Sequence, residues 1–336
     1  MTFRSKINKV FFIAEIGSGH EGNFKKAVKI INECCETETD AIKIQIYKAK
    51  TITSKKFSSE RYKHFSKLEL KINQYKELSK ICRKKKKLFG ASVWDENLVS
   101  EFDDYLDFFK VGSGDITHYE LIREIVKTKK PIIFSTGLSK MKEIKNLLAF
   151  INNLDPEYLK KKKISILHCV TAYPADKTES FLGNIGLLKE MFNLPIGFSD
   201  HTIGDFVPLL SFLNGAEIIE KHFSDNINQT SFRDHQISFD KRMVNDFLEK
   251  INSISKVIDI KKVRLSKTEK KQDNFYLFRR SIFAKNNISK GQIINKNDLI
   301  CLRPKIGICS SEIFKIIGKK AKRNIRADEP LKDKDF

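Results

Sequence analysis

The sequence predicts an α/β protein, a (β/α)8 TIM barrel followed by a small β-rich module, on three observations. Short apolar strands alternate with amphipathic helical stretches eight times over about 250 residues, the usual length of such a barrel. The turn after the first strand reads GSGHEG, not the GxGxxG fingerprint that a doubly wound open sheet usually carries there. From about Val263 the texture changes to a polar stretch and then to short β-type segments.

The strands are VFFIAEIG from Val10, AIKIQIY from Ala41, LFGAS from Leu88, FFKVGS from Phe108, PIIFSTG from Pro131, SILHCV from Ser165, PIGFSDH from Pro195 and EIIEKHF from Glu217. Helical periodicity lies between them, as in Lys25 to Cys35, Asn73 to Lys85 and Met141 to Asn152. VRLSKTEKKQDNF reads as a linker. Beyond it, the turn signals NN, KG and NKND separate short β-type segments, as in a small β-rich module. The expected boundaries are a barrel over 1–262, a linker over 263–278 and a module over 279–336.

With 336 residues, 40% of them hydrophobic and 26 Phe, the chain has an ample core. Its net charge of +21 raises the question of nucleic acid. The lysine runs at Lys84 to Lys87 and Lys161 to Lys163 close helical segments or lie in loops, and no basic stretch is interleaved with stacking aromatics. A solvated lysine surface is expected, with no nucleic-acid partner; an anionic small substrate gains from the same field. The six cysteines form no CxxC pair and no zinc-ligand spacing, which points to reduced thiols in a cytoplasm. The opening MTFRSKINKVFFIAEIG has a basic head and an apolar run, but the run is short and Glu15 interrupts it, so neither a signal peptide nor a membrane segment is expected.

In a barrel of this kind the site is built at the C-terminal strand ends. There stand Glu15, Lys43 with Gln45, Ser92, Lys110 with Ser113, Ser135 with Thr136, Thr171, Ser199 with His201, and Glu220 with His222. A purely structural barrel needs few such residues, because each buried polar group must find a partner. His201 and His222 end adjacent strands, and two neutral imidazoles aimed at one mouth can hold a divalent transition metal. His168 lacks such a pairing and reads as structural. Lys110 points inward between Gly112 and Gly114; it either cradles an anion with Ser113, Ser135 and Ser199, or pairs with Glu15 or Asp115. GFSDHT, at 197–202, also has two readings: a site, or an N-cap for the helix that follows.

AEIG at Ala14, KIQ at Lys43, FKVGSGD, FSTG at Phe134, LHCVTAYP at Leu167, GFSDHT, EKHF at Glu220, LRP at Leu302 and the closing IGKKAKRNI resemble the bacterial sialic acid synthases, in the right order over nearly the whole chain. These nonulosonic acid synthases join a phosphoenolpyruvate-binding barrel to a C-terminal type III antifreeze-like (SAF) domain. The resemblance implies that Ser199, Lys110, Ser92, Ser113, Ser135 and Thr171 surround phosphoenolpyruvate and that His201 and His222 bind a metal, Mn2+ first, with Mg2+ or Co2+ as alternatives. It implies further that Glu15, Lys43, Gln45, Asp115 and Asp234 face the metal-bound water and the acceptor sugar. Glu15, Asp115, His201 and His222 form the expected catalytic set. Arg303 matches an arginine that reaches the acceptor across a domain-swapped homodimer.

The implied reaction condenses phosphoenolpyruvate with an open-chain N-acetylmannosamine-type aldose: C3 attacks the aldehyde, water adds at C2, and phosphate leaves by C–O cleavage. Three departures fall on the acceptor side: Gly19 where asparagine is common, Asp115 where glutamate is usual, and SFRDH from Ser231, which places Arg233 beside Asp234. The acceptor sugar is therefore left open, and with it whether the product is sialic, legionaminic, pseudaminic or another nonulosonic acid. The alternatives are a related barrel aldolase or synthase with another acceptor, and a non-catalytic carbohydrate-binding or assembly protein.

Overall fold

The computed structural model describes residues 10–229, 232–258 and 265–336. The basic opening stretch (1–9), Ser231 and the first linker residues, Val263 and Arg264, lie outside the described residues. The chain forms two compact units, Met1–Asp259 and Ile260–Phe336.

In the first unit, strands β1 (Phe11–Gly17), β2 (Ala41–Ile46), β3 (Leu88–Val93), β4 (Phe108–Val111), β5 (Ile132–Ser135), β6 (Ile164–Cys169), β7 (Ile196–Asp200) and β8 (Ile218–His222) close into a barrel in chain order. Each pairs in parallel with the next, and β8 returns to β1. Nearly every strand residue is buried, as expected where helices cover the outside of a parallel sheet and side chains fill its inside.

The helices follow their apolar spacing. Helix Phe24–Cys35 buries Ala27, Ile30, Ile31 and Cys34, and Asn23 caps it by accepting from the Lys26 N–H at 3.1 Å. Helix Ile72–Lys84 buries Tyr75, Leu78 and Cys82, and helix Met141–Leu154 buries Ile144, Leu147, Leu148 and Ile151. These faces join the outward strand side chains in one continuous core. Among the described residues no helix is long and apolar enough to cross a membrane.

The barrel interior has its own apolar layer of Ile13, Ala41, Phe108, Ile133, Leu167 and Ile218. Phe108 fits because Gly90 faces it: a Cβ there would stand 2.2 Å from the ring. This plug closes the barrel below the strand ends.

The second unit pairs β9 (Ser281–Ala284) antiparallel with β10 (Leu299–Leu302) around Ile282, Ile288, Ile294, Ile316, Ile325 and Leu331. Arg323 staples it, bonding the buried Asp335 carboxylate at 2.7 Å and Glu329 at 2.7 Å. Two short helices, Lys267–Lys271 and Asn274–Phe278, lie in the stretch expected to be linker. The first starts at a capping box in which the Ser266 and Glu269 side chains each accept from the other's backbone N–H, a signal hidden by the polar composition.

Candidate active site

Strand side chains alternate with period two, so the residues two positions beyond the apolar plug face the same interior. Those positions hold Glu15, Lys43, Lys110, Ser135, Cys169 and Glu220, with Ser92 and Ser199 on the strands where Gly90 and Gly197 occupy the plug level; all are buried. One further step gives Gln45, His201 and His222. With Ser113, Asp115, Thr171 and Asp234 they line one cavity of about 1280 Å³. Every barrel residue that the resemblance assigns to the site thus reaches the same space, whereas Thr136, also at a strand end, donates its hydroxyl to the Leu167 carbonyl at 3.3 Å. Arg303 belongs to the second unit, where its guanidinium lies 5.5 Å over the Phe278 ring.

The cavity floor is a chain of alternating charge. Gln45 Nε2 donates to Glu15 Oε1 at 2.9 Å, and Glu15 Oε2 pairs with Lys43 at 3.0 Å. Lys43 continues to Glu220 at 3.2 Å, and Glu220 to Lys110 at 3.4 Å. Lys110 also donates to Ser135 Oγ at 2.6 Å. Its ionic partner is therefore Glu220, while Glu15 pairs with Lys43. Four charges can share this burial because their signs alternate.

Burial pushes Glu15 up to about 7, with Lys43 opposing and Glu220 reinforcing the shift. Burial acts upward on Glu220 too, but Lys110 and Lys43 overcome it and hold Glu220 well below the usual carboxylate range. Burial lowers Lys110, whereas for Lys43 the two carboxylates outweigh burial and raise it. The floor thus contains one carboxyl able to exchange a proton near neutrality and one that stays ionised. Burial also raises Asp115 and Asp234.

The register of β7 on β8 explains why GFSDHT places three polar residues in a row. Ser199 lies opposite Glu220 and Asp200 opposite Lys221, and the Ser199 hydroxyl donates to Glu220 at 2.7 Å. Asp200 pairs with Lys221 behind the sheet, both side chains fully buried. His201 and His222 each stand one residue past this last rung. The N-cap reading fails, because the helix begins only at Phe206 and its N-cap is Asp205.

The two imidazoles face each other with ring centroids 5.7 Å apart. His201 Nδ1 lies 2.8 Å from the Val170 carbonyl, so when Nδ1 carries the proton, Nε2 is free to ligate. His222 Nδ1 is buried without a hydrogen-bond partner, 3.7 Å from Asp234 Oδ2, and burial holds this imidazole well below its ordinary range. A buried, neutral, unpartnered ring nitrogen beside a second free one fits a divalent metal. Among the described residues no group of three or more His, Cys, Asp or Glu side chains forms a metal cage, so the pair is the protein's offer.

Gly17 and Gly137 make room for these groups. Gly17 has φ +53°, and a Cβ there would stand 3.0 Å from both Asp234 Oδ2 and His222 Cε1. At Gly137 a Cβ would fall 2.2 Å from Thr171 Oγ1 and 2.8 Å from Ser113 Oγ, so these hydroxyls converge on its backbone. Thr171 Oγ1 is buried without a hydrogen-bond partner. Gly112 and Gly114 face open space. His168 bonds the Ser180 carbonyl at 2.8 Å.

Glu220 stands with His222 among the strand-end residues of the sequence without a role, and the structure places it between Lys43 and Lys110. Sequence reasoning missed several other lining residues. Arg61, His64, Trp94 and Tyr173 come from connections between strands, and Phe232 from the segment after β8, where no strand periodicity marks direction. Tyr173 covers His201 with ring centroids 4.1 Å apart, and Arg233 lies 4.4 Å over the Tyr173 ring.

A model of the NeuB family matches residues 30–262, and one of the SAF domain matches residues 279–336. The chain is 32% identical to N,N'-diacetyllegionaminic acid synthase of Campylobacter jejuni, over 97% of this chain and 100% of that protein. It is 27% identical to pseudaminic acid synthase of Helicobacter pylori, over 96% and 97% respectively. The crystal structure of N-acetylneuraminic acid synthetase from Leptospira borgpetersenii is similar with a TM-score of 0.72 at 26% identity, covering 81% of this chain and 93% of that one. By the span of that family match and by these full-length relatives, the chain belongs to the NeuB family and carries a C-terminal SAF domain.

Proposed function

We propose that this protein is a phosphoenolpyruvate-dependent nonulosonic acid synthase acting on an open-chain acetamido sugar. The observation that carries the proposal is the convergence of Lys110, a ring of hydroxyls and two open imidazoles on one cavity of a NeuB-family barrel. Lys110, with Ser92, Ser113, Ser135, Thr171 and Ser199, holds the phosphate and carboxylate of phosphoenolpyruvate. The unpartnered Thr171 hydroxyl supports this placement. Lys43, Gln45, Asp115 and Asp234 face the acceptor, and Arg303 reaches it from the SAF domain of a partner subunit in a swapped homodimer.

His201 and His222 hold a divalent ion, Mn2+ first and otherwise Mg2+ or Co2+, which when bound polarises the acceptor aldehyde. The chain's own groups do the rest. Side chains on both substrates align C3 of phosphoenolpyruvate with the aldehyde carbon, which removes most of the entropic barrier to forming the C–C bond. Glu15, poised near 7, takes a proton from the water that adds at C2, and the aldehyde oxygen ends protonated as a hydroxyl. Collapse at C2 leaves a ketone and expels phosphate with the bridging oxygen. Glu220 stays ionised throughout and keeps Lys43 and Lys110 in place.

The test is phosphate release from phosphoenolpyruvate across a panel of acetamido sugars, free and phosphorylated. Release that requires one of these sugars supports the proposal; no release with any of them overturns it.

A further inference from the structure

We propose that Asp200 and Lys221 are positioning residues that clamp the ends of β7 and β8 and so set the spacing of His201 and His222. The inference rests on the reading that these two imidazoles share a metal. The β7–β8 ladder ends at the rung Asp200–Lys221. Each histidine stands one residue past that rung, so pairing between these two strands does not fix one ring relative to the other. β8 has further support, because His222 is in register with Glu15 of β1 and its carbonyl accepts from Phe239 N–H at 2.7 Å. For β7, whose chain leaves the barrel at His201, the Ala175 N–H holds the His201 carbonyl at 3.0 Å, and the side chains of Asp200 and Lys221 add the tie across to β8.

The tie runs through both strands. Asp200 Oδ1 accepts from the Thr202 N–H at 3.0 Å and from its hydroxyl at 2.9 Å. Asp200 Oδ2 accepts from Lys221 Nζ, which also donates to the Thr202 carbonyl. Lys221 Nζ further lies 5.0 Å over the Phe239 ring, on the segment bonded to His222. Both polar backbone groups of Thr202, directly after His201, are therefore bound to the pair.

An outward strand position under the helix layer ordinarily carries an aliphatic residue. A buried ion pair rarely improves stability over well-packed apolar residues. An aliphatic pair, however, could not bind Thr202 on both sides. Directional bonding of the turn that carries His201 is what the charged pair adds.

The test uses the double variant Asp200→Asn with Lys221→Met, because Lys221→Met alone strands a buried carboxylate and threatens folding. Asparagine retains an acceptor for the Thr202 N–H. Two readouts are taken on full-length, metal-free protein whose cooperative unfolding has been verified: the 15N-histidine ring signals of His201 and His222, and Mn2+ affinity from the free-ion electron paramagnetic resonance signal. We expect the double variant to show broadened or shifted ring signals and an Mn2+ Kd raised about tenfold or more, the scale of losing an outer-shell partner.

An Ile151→Val control loosens packing under helix Met141–Leu154, which follows β5, without touching the ion pair or Phe239. It should leave both readouts at parental values. Parental ring signals and affinity in the double variant overturn the clamp, as do equal changes in the control. If the parent itself binds no Mn2+, the metal reading falls separately, and the ring signals alone decide the clamp.

Discussion

Lys110 offers a sharp test, because one position must serve two masters. It pairs with the buried Glu220 at 3.4 Å, and in the proposed reaction it also faces the phosphate of phosphoenolpyruvate. With an effective dielectric of about 20, a pair at 3.4 Å interacts by about 5 kcal/mol before desolvation is charged. Lys110→Met leaves Glu220 with Lys43 and Ser199, and breaking a buried pair in this way costs about 3 to 5 kcal/mol of stability. Adding Glu220→Gln removes the stranded charge, so the double variant should recover much of that stability. Phosphoenolpyruvate binding behaves differently. If Lys110 aims at the phosphate, losing a net attraction of about 3 kcal/mol raises its KM roughly a hundredfold, and the double variant stays impaired. The assay is steady-state phosphate release with each substrate varied, alongside urea denaturation of all three proteins. Recovery of a near-parental KM for phosphoenolpyruvate in the double variant would mean that Lys110 is only the counterion of Glu220. A shift confined to the sugar KM would reverse the assignment of donor and acceptor sides.

Three further outcomes follow from the same geometry. His201→Ala or His222→Ala should abolish turnover and reduce bound metal, measured by elemental analysis, while the barrel still unfolds cooperatively; full parental activity after exhaustive chelation contradicts the metal role. Because Glu15 sits at about 7 and must be unprotonated to accept a proton, kcat/KM should fall tenfold per pH unit below that value, and Glu15→Gln should abolish most of the rate and remove this limb; an unchanged acid limb in Glu15→Gln assigns it to another group. His201→Ala and Arg303→Ala proteins should each be nearly inactive alone, whereas co-expression returns roughly a quarter of parental activity if the SAF domain serves the partner's barrel, since half of random dimers are mixed and each has one intact site; no recovery on mixing means that Arg303 serves its own barrel or none.

The barrel is legible in the sequence because a strand buried on both faces leaves an uninterrupted apolar run, and eight such runs at this spacing admit few topologies. The cavity lining is legible for a related reason. Once Ile13, Phe108 or Ile218 is placed in the plug, period two carries the reader to Glu15, Lys110 or Glu220. Which charge meets which is not legible. Lys110 reads as a partner for Glu15 or Asp115, yet the closure of β8 against β1 and the register of β7 on β8 bring Glu220 between the two lysines instead. GFSDHT shows the same limit. Its composition suits an N-cap and a site equally well, and only the rungs Ser199–Glu220 and Asp200–Lys221 decide between them. Arg61, His64 and Trp94 reach the mouth from connecting segments whose paths depend on the finished barrel.

In the proposed reaction water attacks C2 of phosphoenolpyruvate, and the bond between C2 and the bridging oxygen breaks. Phosphoenolpyruvate labelled with 18O at that bridging oxygen tests it most directly, once the panel has identified a turned-over sugar. Mass spectrometry of both products should find the label wholly in inorganic phosphate, with the new ketone oxygen drawn from solvent water. Label retained at C2 of the sugar acid, with solvent oxygen in the phosphate, would mean that water attacks phosphorus and would contradict the account.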